Sequence, residues 1–320
     1  MKFVEVKRNT EDFQVAVEEH LIKSLCQNAF GSDFIPKQIE PVTSGRFNSC
    51  YRIESNGGDK VILRVAPSSQ MPIFRHEQYL MRREASILEK ICQASDRIPT
   101  NIFTDFSGNL IDRDYAFQPC FEGQLWSDLS PQLTEQNNEQ LWSELGEITK
   151  RIHAIPGKKF GPPEPMQQYQ SWGKAIYSWV SGMVDDLREL ELPYADAQIF
   201  LELVSKGAPY LDEITHPYLV HGDLWTKNIL IKKDSNHYKI SAVLDAERGF
   251  WGDPAAEWIF TFLQIPSSFW EQYGVLNNGT ETNKGTGAEI RRHIYEGRGA
   301  IQLCLEAWRF HFDDKFARNI

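Results

Sequence analysis

The chain has 320 residues, of which 34 are basic and 44 acidic, and its formal net charge at pH 7 is −10. A single hydrophobic core stops growing beyond about 250 residues, so we expect two lobes. Hydrophobic residues make up 41% of the chain and charged residues 24%, which excludes a disordered or fibrous protein. The acidic balance argues against a nucleic-acid partner, because such proteins present basic surfaces.

The start of the chain is charged, and nowhere does the sequence contain a run of about 18 apolar residues. We therefore expect neither secretion nor a membrane span. The cysteines lack both metal-ligand and CxxC spacing, so we interpret them as reduced thiols of the core in a cytoplasmic protein. The five cysteines are Cys26, Cys50, Cys92, Cys120 and Cys304.

The first elements in chain order are a helix and a hairpin. Apolar side chains at every fourth position predict an amphipathic helix over residues 10–30, which ends at Gly31. Two β-rich runs follow, at residues 47–54 and 60–66. The residues between them, 56–59, are Asn-Gly-Gly-Asp, and this turn sequence predicts a β-hairpin.

The next elements complete the expected N-terminal lobe. A helical pattern covers residues 74–92. Residues 102–105 and 110–118 flank a Ser-Gly-Asn turn, which predicts a second hairpin. Residues 1–118 thus form a lobe of helix and antiparallel sheet, and residues 119–123 serve as the hinge.

The remaining chain, residues 124–320, is expected to be the second lobe. Helical spacing recurs over residues 141–152 and 172–190, and we interpret the apolar stripe of the second segment as core. Three short apolar runs predict a small sheet that carries a polar loop. These runs are residues 219–220, 229–231 and 240–244.

Two further patterns lie towards the end of the chain. Asp253 followed by Pro254 predicts a helix start, since Asp is a favoured N-cap and proline fits the first helical position. Residues 277–287 are polar and predict a loop, and residues 288–316 again have a helical pattern.

The strongest motif is HGDLWTKN at residues 221–228, with Asp245 seventeen residues after Asn228. This is the spacing of a kinase catalytic loop followed by a metal-binding aspartate. Phosphoryl transfer needs an oriented acceptor oxygen and counter-charge for the phosphates. Asp223 suits the proton-accepting role, and the side chains of Asn228 and Asp245 offer hard oxygen ligands for Mg²⁺.

This motif, together with residues 243–245 and the Gly-Asp-Pro at 252–254, resembles the aminoglycoside phosphotransferase family of small-molecule kinases. The resemblance implies an α+β, two-lobed, protein-kinase-like fold. Its small N-terminal lobe carries an antiparallel sheet, and its larger C-terminal lobe is mainly helical. It also implies ATP and Mg²⁺ as cofactors and a small-molecule acceptor.

The same resemblance assigns roles in the catalytic loop. Asp223 is expected to be the catalytic base, while Asn228 and Asp245 hold the metal ion. His221 is expected to brace the loop as a structural residue.

Nucleotide-binding residues are also carried over from the family. Ser44 and Gly45 stand where a phosphate loop is expected, although a single glycine also suits an ordinary turn. Arg64 occupies the position of the usual ATP-contacting lysine, and guanidinium can bind phosphate as well. Glu84 is the expected partner of Arg64, with a solvated helix carboxylate as the alternative. Residues 118–123 resemble the hinge.

In that hinge, backbone groups around Gln118 and Cys120 would hold the adenine, but a plain linker is the alternative interpretation.

The acceptor is expected to carry hydroxyls and a positive charge. This expectation rests partly on the acidic residues of one helical region, which a solvated face also explains. These residues are Asp185, Asp186, Glu189, Glu191 and Asp196.

Glu247 is open to two interpretations: it touches metal or substrate, or it pairs locally with Arg248.

Other acceptors remain open too, since ketosamine and choline kinases share the pattern. A different class of function, a nucleotide-binding pseudokinase that regulates a partner, is motivated by Arg64 and the sparse glycine loop. The sequence does not indicate an oligomeric state.

Overall fold

The computed structural model describes residues 1–6, 13–235, 237–259, 263–274 and 285–311. The chain divides into two compact units. The first unit consists of Met1–Ile73 and Pro99–Phe121, and the second of Phe74–Ile98 and Glu122–Ile320. The helical segment that the sequence predicts at residues 74–92, within the expected N-terminal lobe, thus groups with the second unit.

The described residues of the first unit form one helix and a six-stranded sheet. Its elements are β1 (Lys2–Phe3), α1 (Glu19–Phe30), β2 (Pro36–Val42), β3 (Ser49–Ser55), β4 (Lys60–Val65), β5 (Phe103–Asp105) and β6 (Tyr115–Pro119). The strand order is β1-β2-β3-β4-β6-β5, with only the β1 pairing parallel. The first predicted hairpin is confirmed, with Glu54 opposite Lys60. The second is confirmed as an antiparallel pair of β5 with β6, but its second strand starts at Tyr115 and not at residue 110.

The core of the first unit lies between helix α1 and one face of the sheet. Alternate strand residues such as Ile53, Leu63 and Phe117 are fully buried, and they pack with Leu25 and Cys26 of the helix. This period of two is the expected pattern for a sheet with one covered face.

Helix α1 begins at Glu19, so the prediction of a helix from residue 10 is wrong for residues 13–18; residues 10–12 lie outside the described part of the chain. The reason is that this segment bonds to the sheet. The backbone N–H of Val17 donates to the hydroxyl of Tyr51 (2.8 Å), and Ser49 Oγ donates to the carbonyl of Val15 (2.8 Å). The predicted end is confirmed, since Gly31 has φ 83°.

The second unit is mainly helical. Its helices are α2 (Leu80–Ile91), α3 (Trp126–Leu129), α4 (Glu135–Ile152), α5 (Trp172–Glu189), α6 (Ala195–Leu211), α7 (Ser267–Tyr273) and α8 (Thr286–Phe310). Helix α2 is shorter than predicted, because Tyr79 adopts a left-handed conformation just before it (φ 60°). The apolar stripe of α5 lies in the core with α6 and α8, as predicted.

The strands of the second unit form two small sheets instead of the single one predicted. They are β7 (Gln124–Leu125), β8 (Tyr218–Val220), β9 (Ile229–Asp234), β10 (His237–Val243) and β11 (Phe250–Gly252). Strands β9 and β10 form a hairpin with β7 at its edge, whereas β8 pairs with β11. The sequence of β8 does not reveal this, because strand pairing depends on partners distant in the chain.

Asp253 caps the following turn as predicted: its Oδ1 accepts the N–H of Ala255 (3.0 Å). The turn Pro254–Glu257 is a 3₁₀ helix. Most of the predicted polar loop at residues 277–287 lies outside the described residues, as do residues 312–316 of the predicted last helix.

The cysteines are free, but the interpretation that all are core thiols is wrong. Only Cys26 is buried, and Cys304 is exposed. Among the helices that the structure describes, none is both long enough and apolar enough to span a membrane.

Candidate active site

The polar loop at residues 221–228 connects β8, which ends at Val220, to β9, which starts at Ile229. Gly222 in this loop has φ 81°, and a Cβ there would stand 2.5 Å from the carbonyl oxygen of Arg248. Both the backbone conformation and the close approach require glycine. The loop is thereby held against the chain segment that follows Asp245.

Asp223 and Asn228 lie together at the two ends of this loop. The Nδ2 of Asn228 donates to the Oδ2 of Asp223 (2.8 Å) and to its backbone carbonyl (2.9 Å). These bonds close the loop and fix the direction of the amide. Because Nδ2 faces Asp223, the amide oxygen of Asn228 is directed away from that carboxylate.

Asp245 is brought to the same place by the β9–β10 hairpin. Val243 lies opposite Ile229 in the ladder, and the next residue, Leu244, donates its N–H to the carbonyl of Asn228 (2.8 Å). Asp245 follows with a left-handed backbone (φ 68°), which ends the strand. The three residues singled out by the motif therefore come together from two segments of the chain, the loop at residues 221–228 and the end of strand β10.

The pKa of Asp223 is raised to about 7, mainly by burial. The carboxylates of Asp245 and Glu306 raise this pKa further, while the guanidinium of Arg248 and the amide of Asn228 lower it. A carboxyl group with such a pKa exchanges its proton near neutral pH.

Glu257 binds the backbone of the loop at residues 221–228. Its carboxylate accepts the N–H of His221 (2.8 Å) and of Gly222 (2.9 Å), and it also contacts the Nε2 of His153 (3.2 Å). The side chains of Glu257 and His153 are fully buried. Despite burial, the hydrogen bond and charge of His153 lower the pKa of Glu257, so it is a carboxylate.

Sequence reasoning did not identify Glu257, because its only signal is a position four residues after Asp253. His221, expected to brace the loop, is fully buried, and burial lowers its pKa, so the ring is neutral.

Arg248 is a second charged residue next to the loop. Its guanidinium pairs with Glu306 (2.8 Å) and lies 3.9 Å from Glu77. Burial disfavours its charge, but Glu306, Asp223 and Glu77 outweigh burial and raise its pKa. Glu247 is buried as well, and its charge acts on both Arg248 and Arg83.

Asn228 and Asp245 offer one amide oxygen and one carboxylate at this point of the fold. Amide and carboxylate oxygens are the donors that Mg²⁺ takes, usually with several waters retained. Among the described residues, no group of three or more His, Cys, Asp or Glu side chains is placed to hold a metal ion. The donor set fits a Mg²⁺ ion that shares its shell with water and phosphate oxygens.

The first unit contains most of the predicted nucleotide-binding residues. Ser44 and Gly45 are exposed in the turn between β2 and β3, and the carbonyl of Gly45 accepts the Nε2 of Gln14 (3.2 Å). No described atom lies within 4 Å of the position that a Cβ of Gly45 would take. Arg64 lies on β4 between Cys50 and Ala116, and it is buried.

The other three candidates are spread over both units. Gln118, on β6, uses its Nε2 to bind Asn101 within the first unit (3.0 Å), and Cys120 follows the end of that strand. Glu84, on α2 of the second unit, is 1% exposed. The alternative of a solvated helix carboxylate is therefore wrong for Glu84.

The acidic residues expected near the acceptor are largely paired with arginine. Asp186 accepts the backbone N–H of Arg75 (2.9 Å) and pairs with its guanidinium (2.5 Å), which also pairs with Glu189. Asp185 pairs with Arg188 one helical turn later (2.8 Å). Asp186 is buried, so these contacts anchor helix α5 to the turn that precedes α2.

Comparison with known proteins supports the assignment made from the motif. A family model described as the phosphotransferase enzyme family matches residues 38–280. A comparison with curated proteins finds no match.

Solved structures align over nearly the whole chain. A thermostable mutant of aminoglycoside phosphotransferase APH(4)-Ia, in ternary complex with AMP-PNP and hygromycin B, aligns with a TM-score of 0.58 and 17% identity, covering 89% of this chain and 90% of that one. The GDP complex of wild-type aminoglycoside 2'-phosphotransferase-IIIa gives a TM-score of 0.61 and 16% identity, covering 93% and 94%. The gentamicin complex of APH(2")-IIa gives 0.59 and 14%, covering 95% of each chain.

These structural likenesses confirm the expected α+β, protein-kinase-like fold. The family model covers well over half of the sequence and includes the loop that carries Asp223, Asn228 and Asp245. The chain belongs to the phosphotransferase enzyme family.

Proposed function

We propose that this enzyme transfers the γ-phosphate of ATP to a hydroxyl group of a small polar molecule, at the site formed by Asp223, Asn228 and Asp245. The observation that carries the proposal is the convergence of these residues through the Asp223–Asn228 hydrogen bond (2.8 Å) and the Leu244–Asn228 backbone bond (2.8 Å). Phosphoryl transfer depends mostly on positioning, so a fixed arrangement of this kind suits it.

Asp223 is the proposed catalytic base. Its carboxylate accepts a hydrogen bond from Asn228, which fixes its direction, and its pKa of about 7 matches a group that takes a proton at neutral pH. Arg248 supplies a positive charge beside it and keeps a fraction of Asp223 ionised. Glu257 holds the backbone of the loop and so keeps Asp223 in place.

Asn228 and Asp245 are the proposed ligands of Mg²⁺, which would neutralise phosphate charge when bound with the nucleotide. Ser44, Gly45 and Arg64 are proposed to contact the phosphates. Glu84 is proposed to support Arg64, and the backbone around Gln118 and Cys120 to hold the base. Solved relatives bind either AMP-PNP or GDP, so competition between ATP and GTP would decide the preferred nucleotide.

The chemical class of the acceptor is supported less directly than the reaction. Solved relatives bind hygromycin B and gentamicin, which supports a small acceptor and makes a cationic one the first candidate. The acidic run of helix α5 lends this charge little support, because Asp185, Asp186 and Glu189 already pair with arginines. The five free thiols and the use of ATP support a cytoplasmic location.

The variant Asp223→Asn tests the role of the base. We expect turnover to fall by roughly 10² or more, the usual scale for a positioned base, with ATP affinity within a few fold of wild type. The exposed Asp234, which lies on β9 and pairs with Lys239, gives the matched control Asp234→Asn with normal turnover. The measurement is Mg²⁺-dependent ATP hydrolysis without acceptor, followed by a screen of hydroxyl compounds.

Wild-type turnover in Asp223→Asn would contradict the assignment of the base. A wild-type protein that binds nucleotide with Mg²⁺ but releases it unchanged under every condition would instead support the pseudokinase alternative.

A further inference from the structure

The segment before helix α1, residues 13–18, contacts the loop at residues 44–48, which contains two of the residues proposed to bind the nucleotide phosphates. Both the segment and the loop belong to the first unit. Although its apolar pattern predicts a helix, the segment forms none, so its backbone groups bond to other parts of the chain. Its contacts fall into two groups: those to the sheet and those to the loop.

The contacts to the sheet fix the position of the segment. The carbonyl of Val15 accepts a hydrogen bond from Ser49 Oγ (2.8 Å) and another from a guanidinium nitrogen of Arg113 (3.1 Å). The N–H of Val17 donates to the hydroxyl of Tyr51 (2.8 Å), and Val17 is buried. The segment is therefore held next to strand β3, where it can support the loop that precedes this strand.

Gln14 is the residue of the segment that bonds to the loop. It is 6% exposed, and its Nε2 donates to the carbonyl of Asn48 (2.6 Å) and to the carbonyl of Gly45 (3.2 Å). Both partners are carbonyl oxygens, which accept only, so the NH₂ group of the amide must face them. One buried side chain thus joins two carbonyls that lie three residues apart in the loop.

An aromatic contact supports the same arrangement. The ring of Phe13, which is buried, lies against the ring of Phe47 in the loop, with the centroids 5.2 Å apart and the planes at 45°. Aromatic pairs at this separation are favourable beyond the area that they bury. Phe13 and Gln14 therefore hold the loop together, one by an apolar contact and the other by hydrogen bonds.

The bond from Gln14 determines which way one peptide group of the loop faces. The peptide bond between Gly45 and Arg46 is trans, and in a trans peptide the C=O and N–H groups point in opposite directions. Because the carbonyl of Gly45 faces the buried amide of Gln14, the N–H of Arg46 is directed to the opposite, exposed side of the loop. The loop thus presents an amide donor on that side.

This orientation matters for phosphate binding. Backbone N–H groups attract phosphate oxygens, whereas a carbonyl oxygen in the same place would repel them. Gly45 has wide backbone freedom, so without the bond from Gln14 its carbonyl could rotate towards the exposed side. Gln14 opposes this rotation.

We propose that Gln14 is a positioning residue for nucleotide binding, which holds the loop at residues 44–48 so that the N–H of Arg46 faces the phosphates. The proposal rests on the function proposed above and adds to it a residue from outside the nucleotide-binding loop. Gln14 acts through the loop and does not touch the nucleotide, because both donors of its buried amide bind the carbonyls of Gly45 and Asn48.

The first experiment measures the binding of adenosine, ADP and ATP with Mg²⁺ by calorimetry. The variant Gln14→Met keeps the length of the side chain and removes both donors. We expect its affinity for ATP to fall by about tenfold, as for the loss of two ordinary hydrogen bonds, and its affinity for adenosine to stay within about twofold of wild type. ADP should also bind more weakly than to wild type.

The control Tyr51→Phe loosens the same segment without removing a bond to the loop. It deletes the hydroxyl that accepts the N–H of Val17. We expect Tyr51→Phe to lower the melting temperature, as Gln14→Met does, but to keep the wild-type ratio of ATP affinity to adenosine affinity. A general loss of stability is thereby distinguished from a loss of loop position.

A second variant serves if Gln14→Met does not fold. Gln14→Asn keeps an amide, but its side chain is one methylene shorter and cannot reach both carbonyls. We expect it to weaken ATP binding selectively, in the same way as Gln14→Met.

The second experiment reads the loop directly by hydrogen exchange and mass spectrometry. Each protein is saturated with ADP and Mg²⁺, so that differences in affinity do not contribute. In wild type we expect ADP to slow exchange in the peptide that covers residues 44–48, because the N–H of Arg46 binds a phosphate oxygen. In Gln14→Met this protection should be at least roughly threefold smaller.

The proposal is overturned if Gln14→Met weakens adenosine and ATP binding equally, or weakens neither. It is also overturned if saturating ADP protects residues 44–48 to the same extent in both proteins. Failure of the proposed phosphoryl transfer would appear separately, as wild-type turnover in Asp223→Asn, and would leave the nucleotide affinities of the Gln14 variants unaffected.

Discussion

Asp223, Asn228 and Asp245 form the centre of the proposed site, and each depends on a different local feature. Asp223 follows the glycine that allows the loop to approach Arg248, Asn228 closes the loop by two hydrogen bonds, and Asp245 ends strand β10 with a left-handed backbone. Asp245 is the only one of the two proposed metal ligands that carries charge. The two ligands are therefore unequal.

We expect Asp245→Ala to abolish Mg²⁺-dependent nucleotide binding, because the cation loses its charged protein ligand and must retain extra water. Asn228→Ala should weaken binding less. Calorimetry of ATP binding with Mg²⁺ and with EDTA measures the difference, and Asp234→Ala at the exposed end of strand β9 serves as the control. Unchanged Mg²⁺-dependent affinity in Asp245→Ala would exclude it as a metal ligand.

At the scale of elements, the loop that carries Asp223 is held by residues distant in sequence. Glu257, in the 3₁₀ turn after Asp253, accepts three backbone N–H groups of the loop, and His153 at the end of helix α4 supports it. The ring of His153 in turn contacts the hydroxyl of Tyr273, in helix α7 (2.8 Å). The position of Asp223 thus depends on three packed elements as well as on its own loop.

Glu257→Gln should lower both stability and turnover, since an amide cannot replace both carboxylate oxygens. Hydrogen bonds to a charged group are each worth about 1.5–3 kcal/mol, so the melting temperature should fall by several degrees. We expect kcat to fall roughly tenfold or more through misplacement of Asp223, with little change in the KM for ATP. Glu271→Gln, at an exposed position of helix α7, is the control.

The stability difference between wild type and Glu257→Gln should depend on pH. The pKa of Glu257 is lowered from its ordinary value of 4.5 in the folded state, so its contribution is present above pH 4.5 and is lost as pH falls through the folded pKa. The two proteins should differ most near neutral pH and converge in acid. A constant difference down to low pH would contradict the proposed carboxylate clamp.

For the whole molecule, each unit has its own apolar core. The core of the first unit contains Cys26, and burial raises the pKa of this thiol to about 12. Cys304 of helix α8 is exposed. The two thiols therefore differ in solvent exposure, so their reactivity distinguishes the core of the first unit from the surface of helix α8.

We expect a thiol reagent to react rapidly with Cys304 in the native protein, whereas Cys26 reacts only when the first unit unfolds. In denaturant all five free cysteines should react, and a reducing agent should not change this number. Mass spectrometry of labelled peptides distinguishes the sites, with Cys26→Ala as the control for the slow phase. Rapid labelling of Cys26 under native conditions would contradict its burial.

Patterns that are local in sequence were predicted well. The hairpin turn at residues 56–59, the amphipathic stripe of helix α5 and the Asp253 cap are each determined by neighbouring residues, and the structure contains all three. Errors arose where distant contacts compete with local preference. Residues 13–18 have a helical apolar pattern, yet Val15 and Val17 bond to Ser49 and Tyr51, and the segment forms no helix.

The sequence by itself determined the family, the kinase-like fold and the catalytic spacing, because these depend on residue types at fixed separations along the chain. Only the tertiary structure determined which charged side chains form ion pairs. It paired the acidic residues of helix α5 with Arg75 and Arg188, and it placed Glu257 against the backbone of the loop that carries Asp223. It also gathered Arg83, Arg248 and Arg298 around one cavity from three distant segments. Electrostatic energy depends on distance in space and on burial, and neither can be obtained from separation in sequence.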